Sequence, residues 1–239
     1  MQYQKKVQVT TSWDDGHVLD IRLGTLLKKY AVAGTFYVCP EDREFSQSEL
    51  LSKGAVYELS EQFEIGGHTI HHPHLSKIPL LKADEEIRDA KKYLEDITLK
   101  RVTSFCYPYG DYSEEVKKLV IKNGYLTART TLRFAFSPGS DLFAVPTTFH
   151  MYQHYSDLHK IFAFSKFSLH TARKNWEWEE LAMRLFDAVF EKGGVFHLWG
   201  HSWEIEKYHN WEKLEMVLSY ISQRENVSYL TNSEVISAN

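Results

Sequence analysis

Length, composition and charge limit the kinds of protein that this sequence can encode. The chain has 239 residues, 43% of them hydrophobic, and a formal net charge of −4 at pH 7. These values predict one large domain over residues 1–239 and give no reason to expect nucleic acid or an anionic membrane as a partner. No apolar run resembles a signal peptide or a membrane span, so we expect a cytoplasmic protein. We expect the two cysteines, Cys39 and Cys106, to be buried free thiols.

Strand and helix signals alternate along the chain, which predicts βα units with parallel strands and right-handed crossovers. An alternating apolar run at 7–10 predicts the first strand, and helical spacing of leucines predicts a helix over 19–30. The other predicted strands are 34–38, 102–106, 125–130, 195–199 and 227–230, and the other predicted helices are 48–63 (broken), 84–94, 113–122, 177–192 and 211–222. Residues 131–175 are the least regular, and we expect a long loop region with some strand there.

Two adjacent carboxylates follow the first strand directly. Asp14 and Asp15 precede Gly16, a residue that favours the turn ending such a strand. Asp-Asp-Gly alone is ordinary turn chemistry. In a parallel barrel, however, the chemistry lies where strands meet the following helices, and this motif falls at such a point.

A histidine motif supplies further candidate metal ligands to accompany these carboxylates. His68 and His72 are spaced i, i+4, one helical turn apart, so both imidazoles can face one point. One carboxylate and two imidazoles with an open position form the ligand set of a hydrolytic zinc-type site. We therefore expect one divalent metal ion, with zinc preferred and cobalt, nickel or iron as alternatives. The remaining carboxylate is then free to act as a base toward a metal-activated water.

Two more motifs follow later predicted strands. The turn Pro108-Tyr109-Gly110 ends the strand at 102–106. The apolar run at 195–199 contains His197 and leads into His201. Both histidines share strand parity with Trp199, so the three side chains would point to one face.

In this order the motifs resemble those of the polysaccharide deacetylases, carbohydrate esterase family 4, whose shared unit is the NodB homology domain. The family motif T-F-D-D-G resembles Ser12-Trp13-Asp14-Asp15-Gly16, H-[ST]-x-x-H is matched from His68 to His72, and R-x-P-Y-G is matched at Pro108-Tyr109-Gly110. The resemblance implies a distorted (β/α) barrel of about seven parallel strands. It also implies metal-dependent hydrolysis of N-acetyl or O-acetyl groups on a sugar, oligosaccharide or glycan.

The resemblance assigns roles by position to the first two motifs. It makes Asp14 the general base. It makes Asp15, His68 and His72 the metal ligands. The resulting reaction would release acetate and a free amine.

The later motifs would supply the oxyanion donor and the general acid. The backbone N–H beside Tyr109 matches the family's oxyanion donor, and a histidine of the last motif would protonate the leaving amine. The end-of-strand rule favours His201 as this acid, and His197 is the alternative. Substrate contacts are predicted for four residues: Pro108, Tyr109, Trp199 and Trp203.

One position departs from the family pattern. Cys106 stands where the third motif usually has the arginine that holds the catalytic aspartate. Arg129, near the end of the next predicted strand, could reach the same carboxylate, and a guanidinium there would lower the pKa of an aspartate. Two other hypotheses stay open: a hydrolase of a non-sugar amide or imide C–N bond, and a non-catalytic carbohydrate-binding domain.

Overall fold

The computed structural model describes residues 6–166 and 168–238, and its strands form one curved parallel sheet. The strands are β1 (Val7–Trp13), β2 (Gly34–Val38), β3 (Glu64–Gly67), β4 (Ser104–Cys106), β5 (Thr127–Arg129), β6 (Phe149–His150), β7 (Gly194–Gly200) and β8 (Val227–Tyr229). Their order across the sheet is β5-β4-β3-β2-β1-β7-β6, and β8 pairs with the first residues of β1. This arrangement is a curled, incompletely closed barrel, which confirms the predicted fold class.

Helices cover the outer face of the sheet. They are α1 (Asp20–Tyr30), α2 (Lys53–Ser60), α3 (Leu80–Thr98), α4 (Glu114–Lys122), α5 (Leu158–Phe164), α6 (Leu169–Lys174), α7 (Trp178–Lys192), α8 (Ser202–Lys207), α9 (Trp211–Ile221) and α10 (Asn232–Ser237). The longest, α3, buries one stripe at helical spacing, formed by Ala83, Ile87, Ala90 and Leu94. The hydroxyl of Ser113 caps α4, accepting from the N–H of Val116.

Strand β1 lies at the centre of the sheet, between β2 and β7. All seven residues of β1 are buried, and β1 pairs with β7 along its whole length and with β2 at its end. A strand covered on both faces can hold polar side chains only where they find partners. Because the paired strands are parallel, their C-terminal ends lie at one rim of the barrel. The motifs follow the ends of β1, β3, β4, β5 and β7 at this rim.

The barrel is open between β5 and β6, and the segment between these strands fills part of the gap. Val145 exchanges backbone hydrogen bonds with this edge, donating to Ala128 O at 2.9 Å and accepting from Thr130 N at 2.9 Å. Beyond it the chain forms α5 and α6, so residues 131–175 are a long loop region with a short strand, β6, as expected, but also contain two short helices that were not expected. These helices have only seven and six residues, too few for a clear helical period.

Other expectations can be compared with the structure directly. Cys39 and Cys106 are buried free thiols, as predicted. The short helices α8 and α10 were not predicted, since each has six residues. Among the described residues, no helix combines the length and apolar character needed to cross a membrane.

Candidate metal centre and active site

A tight turn after β1 presents the two adjacent carboxylates at the rim. The N–H of Asp14 still donates to Gly200 O at 3.1 Å, continuing the pairing with β7, and Asp15 then adopts a φ of 79°. Gly16 follows at a φ of 72°, where a Cβ would lie 2.9 Å from a methyl group of Val38. The turn therefore needs glycine at this position. Both carboxylates are almost fully buried.

The histidine motif lies in an irregular turn after β3, so the expected helical turn is wrong. Thr69 and His72 have φ values of 66° and 55°, which no α-helix accommodates. The hydroxyl of Thr69 accepts the N–H of His72 at 3.0 Å and closes the turn. His68 and His72 still converge, with their Nε2 atoms 3.2 Å apart, whereas His71 turns away toward Glu86 on α3.

Three potential ligand atoms surround one point. Asp15 Oδ1 lies 3.6 Å from His68 Nε2 and 3.5 Å from His72 Nε2. Ligands about 2.0–2.2 Å from a tetrahedral zinc lie roughly 3.3–3.6 Å from one another, so the spacing fits a divalent metal. Asp15 Oδ1 is buried and accepts no hydrogen bond from the described residues, an arrangement that a cation would satisfy.

A hydrogen bond behind His68 and a carboxylate behind His72 orient the two imidazoles for metal binding. His68 Nδ1 is 2.7 Å from Cys106 O, so Nδ1–H donates to that carbonyl and Nε2 is left to face the metal position. Behind His72, Nδ1 faces Asp42 Oδ2 at 3.6 Å. Burial is the main cause that lowers the pKa of His72 to about 4, so this imidazole is neutral, as a ligand must be.

Trp203 supports the third ligand from the start of α8. Its indole N–H donates to Asp15 Oδ2 at 2.8 Å, leaving Oδ1 to face the two imidazoles. The same ring packs against Phe45 and His201, with centroid distances of 5.8 and 5.4 Å. In this position Trp203 fixes the orientation of a candidate ligand, and its predicted contact with substrate stays a prediction.

Asp14 is held by an arginine from a neighbouring strand. Arg129 Nη2 contacts both carboxylate oxygens of Asp14, and both side chains are buried. Burial raises the pKa of Asp14, but the charges of Arg129, His68 and His201 together outweigh it and hold the pKa below its ordinary value. The predicted contact is thus present, whereas its catalytic role stays a prediction. Cys106, the register partner of Arg129, lies at the same carboxylate, with Sγ 3.6 Å from Asp14 Oδ2.

His201 lies at the rim and is tied to a carboxylate on α8. Its Nδ1 is 2.5 Å from Glu204 Oε2, and its Nε2 is 3.9 Å from Asp15 Oδ2. Burial lowers the pKa of His201, but Asp15 and Glu204 outweigh it and raise the pKa to about 9. The same Glu204 oxygen lies 3.2 Å from His150 Nε2. The carboxylate of Glu204 therefore contacts both His201 and His150.

His197 lies within β7, four residues before His201 and deeper in the barrel. Its Nε2 is 2.9 Å from Ser12 Oγ, and only 3% of its surface is exposed. Burial lowers its pKa to about 3, so the ring is neutral. The ring faces a small internal cavity, about 20 Å³ in volume, which Arg129 also lines. That volume suits a single water, not a substrate.

The other predicted substrate residues differ in accessibility. Tyr109 is 47% exposed and stacks on His74 at 4.1 Å, beside His72. Pro108 is buried beneath it. Trp199 is 4% exposed, with the Arg129 guanidinium 4.6 Å from its ring, so it forms a wall of the site and its contact with substrate stays a prediction.

Sequence reasoning missed two residues that support this site. Asp42, behind His72, lies in the loop after β2. The rule that active-site residues follow the C-terminal ends of strands would have indicated this loop as well. His150, beside Glu204, stacks on Trp199 at a centroid distance of 3.9 Å. It lies in the irregular region, where the sequence gave no strand long enough to place it.

Comparisons with known proteins agree with this geometry. Residues 2–128 match the family model described as polysaccharide deacetylase. Over 91 residues the chain is 30% identical to peptidoglycan-N-acetylmuramic acid deacetylase PdaC of Bacillus subtilis (strain 168), a match covering 38% of this chain and 18% of that protein.

Solved structures show the same fold. A polysaccharide deacetylase homologue from Mycobacterium smegmatis superposes with a TM-score of 0.73 at 16% identity, covering all of this chain and 91% of the other. The Streptococcus pyogenes deacetylase PplD, solved in complex with acetate, gives a TM-score of 0.54 at 22% identity, covering 57% of this chain and 62% of that one. The chain thus spans less than two thirds of the Bacillus and Streptococcus proteins.

Proposed function

The chain belongs to the polysaccharide deacetylase family, hydrolases that act on amide bonds, and from this premise we propose that it removes N-acetyl groups from a glycan in a metal-dependent reaction. One observation carries the proposal: the convergence of Asp15, His68 and His72 on one point beside a carboxylate held by an arginine. A divalent metal held by these three residues would supply Lewis acidity, lowering the pKa of water and polarising an acetyl carbonyl.

Asp14 is the proposed general base. Its carboxylate is ionised at neutral pH because the positive charges of Arg129, His68 and His201 together outweigh the effect of burial. The same guanidinium contacts both oxygens, so the carboxylate cannot rotate freely. Asp14 then accepts a proton from the attacking water, and such proton transfer contributes about 10²–10⁴ in rate.

His201 is the proposed general acid. With a pKa of about 9 it carries a proton at neutral pH, and Glu204 holds Nδ1, so Nε2 is free to face the substrate. Nε2 gives its proton to the leaving nitrogen as the C–N bond breaks. The backbone N–H beside Tyr109 is the proposed donor to the developing oxyanion. Overall, one water adds across the amide to give acetate and an amine.

Acetate release tests the proposal. The chelator-stripped protein, reloaded with zinc or cobalt, would be given chitooligosaccharides, acetylated peptidoglycan fragments and small N-acetyl amides. We expect metal-dependent acetate release from at least one glycan. Release from the small amides alone would contradict a glycan substrate and favour the non-sugar hydrolase. No release with metal bound would contradict the deacetylase assignment.

A further inference from the structure

The turn that carries the proposed oxyanion donor has an unusual residue at its second central position. In this turn, over residues 107–110, the N–H of Gly110 donates to Tyr107 O at 2.8 Å. Tyr109 has φ 58° and ψ 6°, close to the values of about +80° and 0° at the second central position of a type II turn. That position favours glycine, because a side chain is strained at positive φ. Tyr109 is therefore held in a conformation that its own side chain disfavours.

The type of turn decides the direction of the Tyr109 N–H. Types I and II differ by about 150° in ψ of the first central residue and by about 170° in φ of the second, so the peptide between them rotates by roughly half a turn. Here that peptide joins Pro108 to Tyr109, and its N–H is the proposed oxyanion donor. A tyrosine without outside contacts favours type I, which would point this N–H away from the reacting carbonyl. Contacts that keep Tyr109 at positive φ therefore keep the donor in place.

Glu44, in the loop after β2, makes such a contact. Its Oε1 accepts a hydrogen bond from the hydroxyl of Tyr109, and we call this bond the tyrosine latch. The ring of Tyr109 also stacks on that of His74 at a centroid distance of 4.1 Å and lies 4.5 Å from that of His72. Two imidazoles thus pack along the ring, and the carboxylate of Glu44 holds its tip.

The loop after β2 is anchored on both sides of Glu44. The N–H of Glu44 donates to Oδ1 of the buried Asp42 at 2.8 Å. On the other side, the ring of Phe45 lies 5.8 Å from that of Trp203. Although 53% of the Glu44 side chain is exposed, its neighbours therefore fix its backbone and place its carboxylate beside Tyr109.

We propose that Glu44 is a positioning residue for the deacetylation. By holding the hydroxyl of Tyr109, it keeps the turn in the type II form and directs the Tyr109 N–H at the developing oxyanion. Glu44 acts through Tyr109 and needs no contact with the substrate. This inference rests on the proposed function, because it takes the Tyr109 N–H as the oxyanion donor.

Kinetics of latch variants test the proposal. Glu44→Ala and Tyr109→Phe each break the tyrosine latch, and we expect kcat on an N-acetylglucosamine oligomer to fall about tenfold. KM should change less than about twofold, since an oxyanion donor acts in the transition state. Both substitutions remove the same contact, so the double variant should lose no more than either one alone. Glu44→Gln keeps an oxygen acceptor and should recover most of the lost activity. Glu41→Ala is the charge-matched control, since Glu41 lies in the same loop but faces His71.

A second pair of variants separates the turn from the ring. Tyr109→Ala and Tyr109→Gly both remove the ring, but only glycine adopts positive φ without strain. We therefore expect kcat of Tyr109→Gly to exceed that of Tyr109→Ala about fivefold. Equal kcat in these two variants, or losses that multiply when Glu44→Ala and Tyr109→Phe are combined, would overturn the proposal and leave the proposed function standing.

Nuclear magnetic resonance reads the turn without turnover. The Hα of Pro108 and the amide proton of Tyr109 are closer in a type II turn than in type I, so the Overhauser effect between them reports the turn type. We expect a strong effect in the wild type and in Glu41→Ala, and a weaker one in Glu44→Ala. That pattern in a protein that releases no acetate would support Glu44 as the residue that holds the turn while contradicting the deacetylase. An effect of equal strength in the wild type and Glu44→Ala would overturn the proposal.

Discussion

Cys106 and Arg129 are register partners on the adjacent parallel strands β4 and β5, and the arginine side chain reaches from there to both oxygens of Asp14. The family pattern has arginine on the strand where this chain has cysteine. In this chain the arginine that contacts the proposed base therefore lies on the adjacent strand, β5, and it contacts the same aspartate carboxylate. The cysteine leaves room for it, with Sγ 3.6 Å from Asp14 Oδ2.

Removing Arg129 should impair both turnover and folding. In Arg129→Ala the buried Asp14 loses its partner, and breaking a buried pair in this way costs about 3–5 kcal/mol of unfolding free energy. We expect kcat/KM to fall about 100-fold, and the acid limb of its pH profile to move to higher pH. The sign follows from burial, which raises the pKa of Asp14 once the guanidinium is gone. Steady-state kinetics across pH and urea unfolding measure these effects.

The register offers a rescue experiment. The double variant Cys106→Arg with Arg129→Cys exchanges the two side chains between partner positions. We expect it to recover at least tenfold of the kcat/KM lost in Arg129→Ala, because the guanidinium again reaches Asp14. Equal activity of the wild type and Arg129→Ala would instead mean that the arginine has no role toward the base.

Three substitutions should weaken metal binding strongly. Asp15→Ala, His68→Ala and His72→Ala each remove one atom of the converging set, and we expect at least 100-fold weaker zinc binding by calorimetry. His71→Ala is the matched control, since His71 belongs to the same motif but contacts Glu86. Retention of full zinc affinity in all three ligand variants would refute the assignment.

The two histidines of the last motif should respond differently. His201→Ala removes the proposed acid, and we expect kcat to fall by about 10²–10⁴ with little change in zinc affinity. His197→Ala removes a buried ring bonded to Ser12, so we expect a lower melting temperature and a smaller loss of kcat. Comparing kcat and thermal unfolding of both variants checks this. The opposite ranking of kcat would make His197 the acid.

Glu204 should tune the proposed acid through its charge. In Glu204→Gln, the charge that helps to raise the pKa of His201 is lost, so the pKa falls. A general acid must be protonated, and we therefore expect the alkaline limb of kcat/KM to move to lower pH. Glu206→Gln, on the same helix but exposed, is the control. An unmoved alkaline limb would show that Glu204 does not act on the titrating acid.

The sequence predicted the site best where it depends on strand ends. Parallel strands bring their C-terminal ends to one rim, so the order of motifs alone placed Asp15, His68 and His201 together. The contact between Arg129 and Asp14 was predicted for the same reason. Each of these predictions needed only the identity of the strand and the end at which the residue lies.

The rest depended on local geometry that residue spacing does not reveal. The turn from His68 to His72 uses positive φ at Thr69 and His72, a conformation that is uncommon for residues other than glycine. The helices α5 and α6 in residues 131–175 are too short to show a period, so the sequence did not predict them. The role of Trp203 behind Asp15 was hidden as well, because an indole can stack on a sugar or donate a hydrogen bond with equal ease.

The central claim is that one metal ion and Asp14 together hydrolyse an acetyl amide. The most direct measurement titrates zinc into the stripped protein while following acetate release from an N-acetylglucosamine hexamer, in the wild type and in Asp14→Asn. The account predicts that the wild-type rate rises with zinc and levels off at one equivalent per chain. It predicts that Asp14→Asn binds the same equivalent but releases acetate at least 100-fold more slowly. Equal rates in the two proteins, or a wild-type rate independent of zinc, would contradict it.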